Sequence, residues 1–247
     1  MVDSLYARYA KLRDRPLDKE YRPQDSIRGR ILLNEHSDKL AVIFPGWHTH
    51  KFPVNRLAKR LVKKGWAVLL YDFHDQIIEP SDEIVEKSFR YVRDQISKEL
   101  LDLNKKHEYQ QIHFIGISLG NVSMALVAEG FTVFNSATFV VGGEDLAVDM
   151  WHGLRTLYLR DEFKKAHIGL RRLDKDWKDE APMNHARRFA KKKIKFVMSK
   201  SDKFILPRYQ IKLLEDIKNV GAEVELKTRR TGHLVTIVRY CLFDSPI

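Results

Sequence analysis

Cysteine is nearly missing from this chain: its 247 residues hold one, Cys241. A single thiol excludes a disulfide framework and any cysteine-based zinc site. Long hydrophobic runs are missing too, since no apolar stretch approaches the roughly 18 residues that a membrane-spanning helix needs. The opening residues Met1-Val2-Asp3-Ser4-Leu5-Tyr6 carry no basic patch followed by an apolar run. No secretory signal is read there, and a cytoplasmic location is expected. Internal repeats and low-complexity linkers are lacking, which argues for one domain. What is present is enough apolar material for a full core, 44% hydrophobic and 11% aromatic. The 44 Lys and Arg outnumber the 33 Asp and Glu, for a formal charge of +11. A basic balance of this kind suits nucleic acid, an anionic membrane surface, or no particular partner.

Hydrophobic patterning alternates strands with helices. A weak helical period covers 3–19. Two short strands follow at 27–33 and 39–44, and the polar link 34–38 between them is short enough for a hairpin. A helix over 52–64 places Leu57, Leu61 and Val62 on one face and stops at Gly65. The continuous apolar run 66–71 reads as a strand buried on both sides. A long helix over 81–104 carries Ile84, Phe89, Val92, Ile96, Leu100 and Leu103 at helical spacing. Further strands fall at 111–117, 137–141, 194–199 and 223–227, and helices at 119–129, 209–219 and the C-terminal end. Strand–helix alternation with short connections predicts an α/β domain, a mostly parallel sheet covered by helices on both faces. Residues 144–193 break the rhythm with a helical insertion that has no convincing strand.

The strongest chemical signal is Gly116-Ile117-Ser118-Leu119-Gly120, set between a predicted strand and a predicted helix. A serine nucleophile on a sheet needs a sharp turn that lifts its hydroxyl above the strand ends, and flanking glycines make room for it. The helix that starts there aims backbone N–H groups at a developing oxyanion. The bland alternative is a tight turn with a serine cap. A nucleophile also needs a histidine base and a carboxylate that orients the base. Asp202 follows the strand 194–199, and His233 follows the strand 223–227, so both fall at the sheet edge that carries Ser118. Asp145, just after the strand 137–141, is the competing carboxylate.

These residues resemble the α/β-hydrolase superfamily from residue 27 to the C-terminus. The matching segments are Gly116–Gly120, Ser201-Asp202-Lys203-Phe204-Ile205-Leu206-Pro207 and Gly232-His233. The resemblance implies the order nucleophile, acid, histidine. It also implies one oxyanion donor from the Leu119 backbone N–H and another from the Trp47 backbone N–H. The family often carries His-Gly before the second donor, where this chain has Phe44-Pro45-Gly46-Trp47-His48. A cap inserted at about 144–193 is a common feature of the superfamily.

His48, His50, Asp72, His74 and Asp75 also follow strands at this edge. A metal site would need a denser ligand set, so pocket lining is preferred, with His48, Phe73, His74 and Trp151 as the candidate lining residues. Met150, Trp151, Leu154, Leu157, Tyr158, Phe163 and Trp177 would form an apolar roof over the site, or else fasten the insertion to the body. The insertion holds 13 Lys and Arg against 9 Asp and Glu, with both signs interspersed. No nucleic-acid motif surrounds Arg187-Arg188 or Lys191-Lys192-Lys193, so no nucleic-acid partner is expected. Contact with an anionic membrane surface stays open. The expectation is a serine hydrolase acting on a small acyl substrate, an ester before a thioester or amide, without metal or organic cofactor. A non-catalytic binding protein on the same body, taking an anionic ligand or surface, is the alternative.

Overall fold

Apolar residues on both sides of the central strands decide how the sheet is buried. In the computed structural model, which describes residues 21–47, 51–78 and 82–247, strand β2 (Lys39–Phe44) sends Leu40, Val42 and Phe44 into one core. Ala41 and Ile43 of the same strand enter a second core on the opposite face. Residues two apart share a face, so a strand apolar at every position must be covered on both sides. β3 (Ala67–Phe73) repeats the pattern, with Leu69 and Tyr71 in the first core and Val68 and Leu70 in the second.

β1 (Ile27–Leu33), β4 (Gln111–Ile117), β5 (Ser136–Val140), β6 (Lys193–Ser199) and β7 (Glu223–Arg229) complete a seven-stranded sheet in the order β1-β3-β2-β4-β5-β6-β7. Helices α1 (Lys51–Lys63) and α8 (His233–Phe243) cover one face through Leu57, Leu61, Ile237 and Tyr240. Helices α2 (Asp82–His107), α3 (Gly120–Gly130) and α7 (Pro207–Asn219) cover the other through residues such as Phe89, Met124 and Leu213. Gly65, at a φ of 82°, turns the chain after α1 in a conformation that disfavours other residues. All strand neighbours are parallel except β1 and β3.

The hairpin expected from the link 34–38 does not form. β1 lies antiparallel to β3, with Ile27 opposite Phe73 and Leu33 opposite Val68. β2 instead has parallel partners along both edges, β3 and β4. The strands explain this themselves: β1 exposes Arg28, Arg30 and Ile31, which suits a sheet edge, whereas β2 has no face that tolerates water. From β2 the chain winds outward one way to β3, and from β4 the other way to β7. The crevice where the winding reverses, beyond the C-terminal ends of β2 and β4, is where such sheets hold ligands.

Between β5 and β6 run α4 (Leu146–His152), α5 (Leu157–Lys165), α6 (Leu170–Asp176) and a 3₁₀ segment, Pro182–Phe189. Phe163, Leu173, Trp177 and Phe189 from this stretch are buried in the first core. Those side chains fasten the insertion to the body. The helical period at 3–19 and the first residue of the predicted long helix, Ser81, lie outside the described residues. Among the described residues no helix is long and apolar enough to cross a membrane.

Candidate active site

Ser118 stands at the turn from β4 into α3, and its φ of 54° lies in the left-handed region that non-glycine residues seldom occupy. Local bonds hold it there. Its N–H donates to the Val140 carbonyl at 2.9 Å, and the Asn121 side-chain amide donates to the Ser118 carbonyl at 2.7 Å and to Val140 at 3.1 Å. The two glycines of the motif have different neighbours. A Cβ at Gly120 would overlap the Phe44 carbonyl, and one at Gly116 would lie 2.7 Å from Asn121 Oδ1. Glycine at 120 therefore lets the end of β2 approach the start of α3 closely. Val141 lies in the same strained region, at a φ of 46°, and donates its N–H to Val197 at 2.8 Å.

The Ser118 hydroxyl lies 2.8 Å from His233 Nε2, and His233 Nδ1 lies 2.7 Å from Asp202 Oδ2. His233 is the first residue of α8, and Asp202 is in the loop between β6 and α7. Both are buried. Each oxygen of Asp202 accepts twice. Oδ1 takes the N–H groups of Phe204 at 2.8 Å and Ile205 at 3.1 Å; Oδ2 takes His233 and, at 3.0 Å, the Gln210 side chain. Gln210 is itself held, donating to Ile205 at 2.8 Å and accepting from the Ser199 N–H at 3.1 Å. A buried carboxylate with this many donors is held in one orientation. The competing carboxylate, Asp145, is engaged elsewhere: its Oδ1 caps α4 by accepting from Val148 at 3.0 Å.

The Leu119 N–H stands at the N-terminal end of α3, where amide groups have no carbonyl one turn back. Trp47 follows β2 beside it, its indole donating to the Asp75 carbonyl at 2.6 Å and its ring stacked on Tyr158 at 6.4 Å. Both residues line a cleft with Ser118, His233, Leu146, Asp149, Met150 and Phe204. The cleft volume is about 60 Å³. At roughly 15 Å³ for each water, that is room for about four waters or a short acyl chain.

The remaining sequence candidates fall elsewhere. Phe73 and His74 line a smaller recess on the far side of Trp47, with Pro45 and Ser123. Phe73 is parallel to Tyr71, and His74 stacks on Tyr21 at 4.7 Å. Trp151 does not line the cleft and instead packs partly buried against the core, 5.7 Å beneath the Lys164 ammonium. Helix geometry explains why. Leu146, Asp149 and Met150 share one face of α4, and Trp151 is turned about 100° beyond Met150. His48 and His50 lie outside the described residues. Asp72 pairs with Lys51 and Asp75 with Arg28. Asn121, Gln210 and Asp149 are site residues that the motifs do not reveal.

No protein-family model and no curated protein sequence matches the chain. Solved structures share its architecture. Pyrococcus horikoshii acylaminoacyl peptidase superposes with a TM-score of 0.61 at 14% identity, over 83% of this chain and 36% of that one. An esterase of Pyrococcus furiosus gives 0.56 at 16% identity, over 84% and 77%. A cold-adapted esterase from an Arctic intertidal metagenomic library gives 0.56 at 13% identity, over 80% and 75%. The chain thus spans little more than a third of the peptidase's length. It has the α/β-hydrolase fold.

Proposed function

We propose that this protein is a serine hydrolase that cleaves a small carboxylic ester, or a thioester or amide, through an acyl-enzyme on Ser118. The reading rests on one observation, the unbroken hydrogen-bonded chain Ser118–His233–Asp202 opening on a cleft at the switch point of the sheet. His233 Nε2 takes the Ser118 proton as Oγ attacks the acyl carbonyl. Asp202 fixes the imidazole by accepting from Nδ1 and stabilises the imidazolium that forms. The Leu119 and Trp47 backbone N–H groups receive the oxyanion of the tetrahedral intermediate. His233 then hands its proton to the leaving alcohol, activates a water against the acyl-enzyme, and is restored as Ser118 is released. None of these steps calls for a metal or organic cofactor.

The fold shared with esterases and a peptidase supports this class of reaction. Esters come first because an alkoxide leaves more readily than an amide nitrogen. The small cleft favours short acyl groups, and α4, with Leu146 and Met150 on its wall, acts as the covering part of a cap. A fluorophosphonate probe tests the proposal. Native protein should label covalently and Ser118→Ala should not; a folded native sample that never labels would sink it.

A further inference from the structure

Helix α4 brings a second carboxylate into the cleft, one that the triad does not use. The Asp149 carboxyl lies directly over Gly143, where a Cβ on any other residue would overlap it. Its Oδ1 is enclosed and has no hydrogen-bond partner among the described residues. The charged groups acting on it are Asp145, Glu144 and Asp202, all carboxylates. Each of these three has a partner already: Glu144 the Lys212 ammonium at 2.5 Å, Asp145 the Val148 N–H, and Asp202 His233 and Gln210. Burial first, and these neighbours second, raise the Asp149 carboxyl well above the usual carboxylate range. An enclosed carboxyl oxygen without a partner costs stability. Such a group in a cleft beside a nucleophile marks a place for a ligand.

We propose that Asp149 selects the substrate by receiving a protonated amine carried on its acyl group. This rests on Ser118 being the nucleophile. The acyl carbon is held at Ser118, and an acyl group that extends into the cleft runs along the wall where Asp149 lies. An ammonium fits there on charge. It brings a positive charge to Asp149, the one carboxyl on the cleft wall among the described residues, whereas an anionic acyl group would be repelled and an alkyl group would leave Oδ1 unpaired. On binding, the Asp149 carboxylate accepts an N–H of the ammonium, and any proton it held passes to solvent; no other bond changes. The excess of Lys and Arg over the whole chain thus says nothing about the substrate, because among the described residues none of them lines the cleft and Asp149 does.

The test compares paired esters that exchange ammonium for methyl: glycine ethyl ester with ethyl propionate, and β-alanine ethyl ester with ethyl butyrate. In the native protein the amino ester should have the higher kcat/KM in at least one pair. Asp149→Asn and the apolar Asp149→Leu should lower that ratio about 30-fold or more and reverse the preference. A ratio unchanged in both variants, or a native preference for alkyl esters in both pairs, overturns the proposal. Failure of fluorophosphonate labelling would overturn the hydrolase reading instead. Calorimetric binding of glycinamide against propionamide then still decides on Asp149. Glycinamide bound preferentially, and the preference lost in Asp149→Asn, supports it, and equal binding of the two overturns it.

Discussion

Two aspartates beside one cleft have opposite surroundings. Asp202, after β6, sits in a loop that offers it two backbone N–H groups, a glutamine amide and an imidazole. Asp149, on α4, is only partly buried, yet one of its oxygens is enclosed with no partner among the described residues, and its charged neighbours are carboxylates. Burial alone therefore does not assign a role to an acid. A carboxylate whose acceptor sites are filled is built to hold one charge in one place, and its use is to orient another group. A carboxyl that lines a cleft with an enclosed, unpaired oxygen can accept from a bound group. The backbone links the two regions, since the Leu154 N–H beyond α4 donates to the Lys203 carbonyl of the acid loop at 2.8 Å.

Separating the roles by mutation should give the largest effect at Asp202. Asp202→Asn offers His233 Nδ1 an amide in place of a carboxylate and permits the wrong tautomer, so kcat should fall about 10⁴-fold on every ester. Asp145→Asn should cost far less, because Asp145 caps α4 and does not reach the imidazole. The reverse order in steady-state kinetics would move the orienting acid to Asp145. A smaller effect is expected one layer out. Gln210→Leu removes one donor from Asp202 Oδ2 and leaves the Ser199 N–H without its acceptor. With a hydrogen bond to a charged group worth about 1.5 kcal/mol or more, kcat should fall about tenfold while KM stays near its native value. A variant that merely loosened the fold would lower Tm and leave kcat per folded molecule alone, and that outcome would remove Gln210 from the positioning machinery.

The hydrogen-bonded set Ser118, His233 and Asp202 was legible in the sequence because each residue announces itself locally. Gly116-Ile-Ser-Leu-Gly120 marks a sharp turn, Asp202 follows the largely apolar β6, and His233 follows β7, where Val224 and Leu226 alternate with charged residues. The sheet was legible for the same reason, apart from the place of β1, which depends on which strand tolerates an exposed edge and not on loop length. Gln210 had a readable trace: it shares the buried face of α7 with Leu213, Leu214 and Ile217, a polar residue at an apolar phase. Asn121 had no such trace, because α3 is buried nearly all round and phase carries no information there. Asp149 was hidden among the nine acids of the insertion, where sequence shows mixed charge but not which carboxyl turns inward. Trp151, expected to line the pocket, is one helical step away from Met150, which does line the cleft.

The smallest expected effect is on stability, and it isolates Asp149 from catalysis. The Asp149 carboxyl titrates near 3.8 when unperturbed and well above that in the folded protein. Above pH 4 the unfolded chain releases this proton while the folded protein retains it, so unfolding is favoured progressively as pH rises toward the folded value. Glu144, Asp145 and Asp202 face Asp149 and add to the penalty on its charged form. Asp149→Leu lacks the titrating group, and an apolar side chain of similar size suits the enclosed position. Its Tm, measured against that of the native protein, should therefore gain as pH is raised from 4 to 8. Saturating glycinamide should narrow the gap at the upper end by supplying the missing cation to the native protein alone. A Tm difference that is flat across this range, or that favours the native protein at high pH, would mean that Asp149 is already paired in solution, and the contrast with Asp202 would collapse.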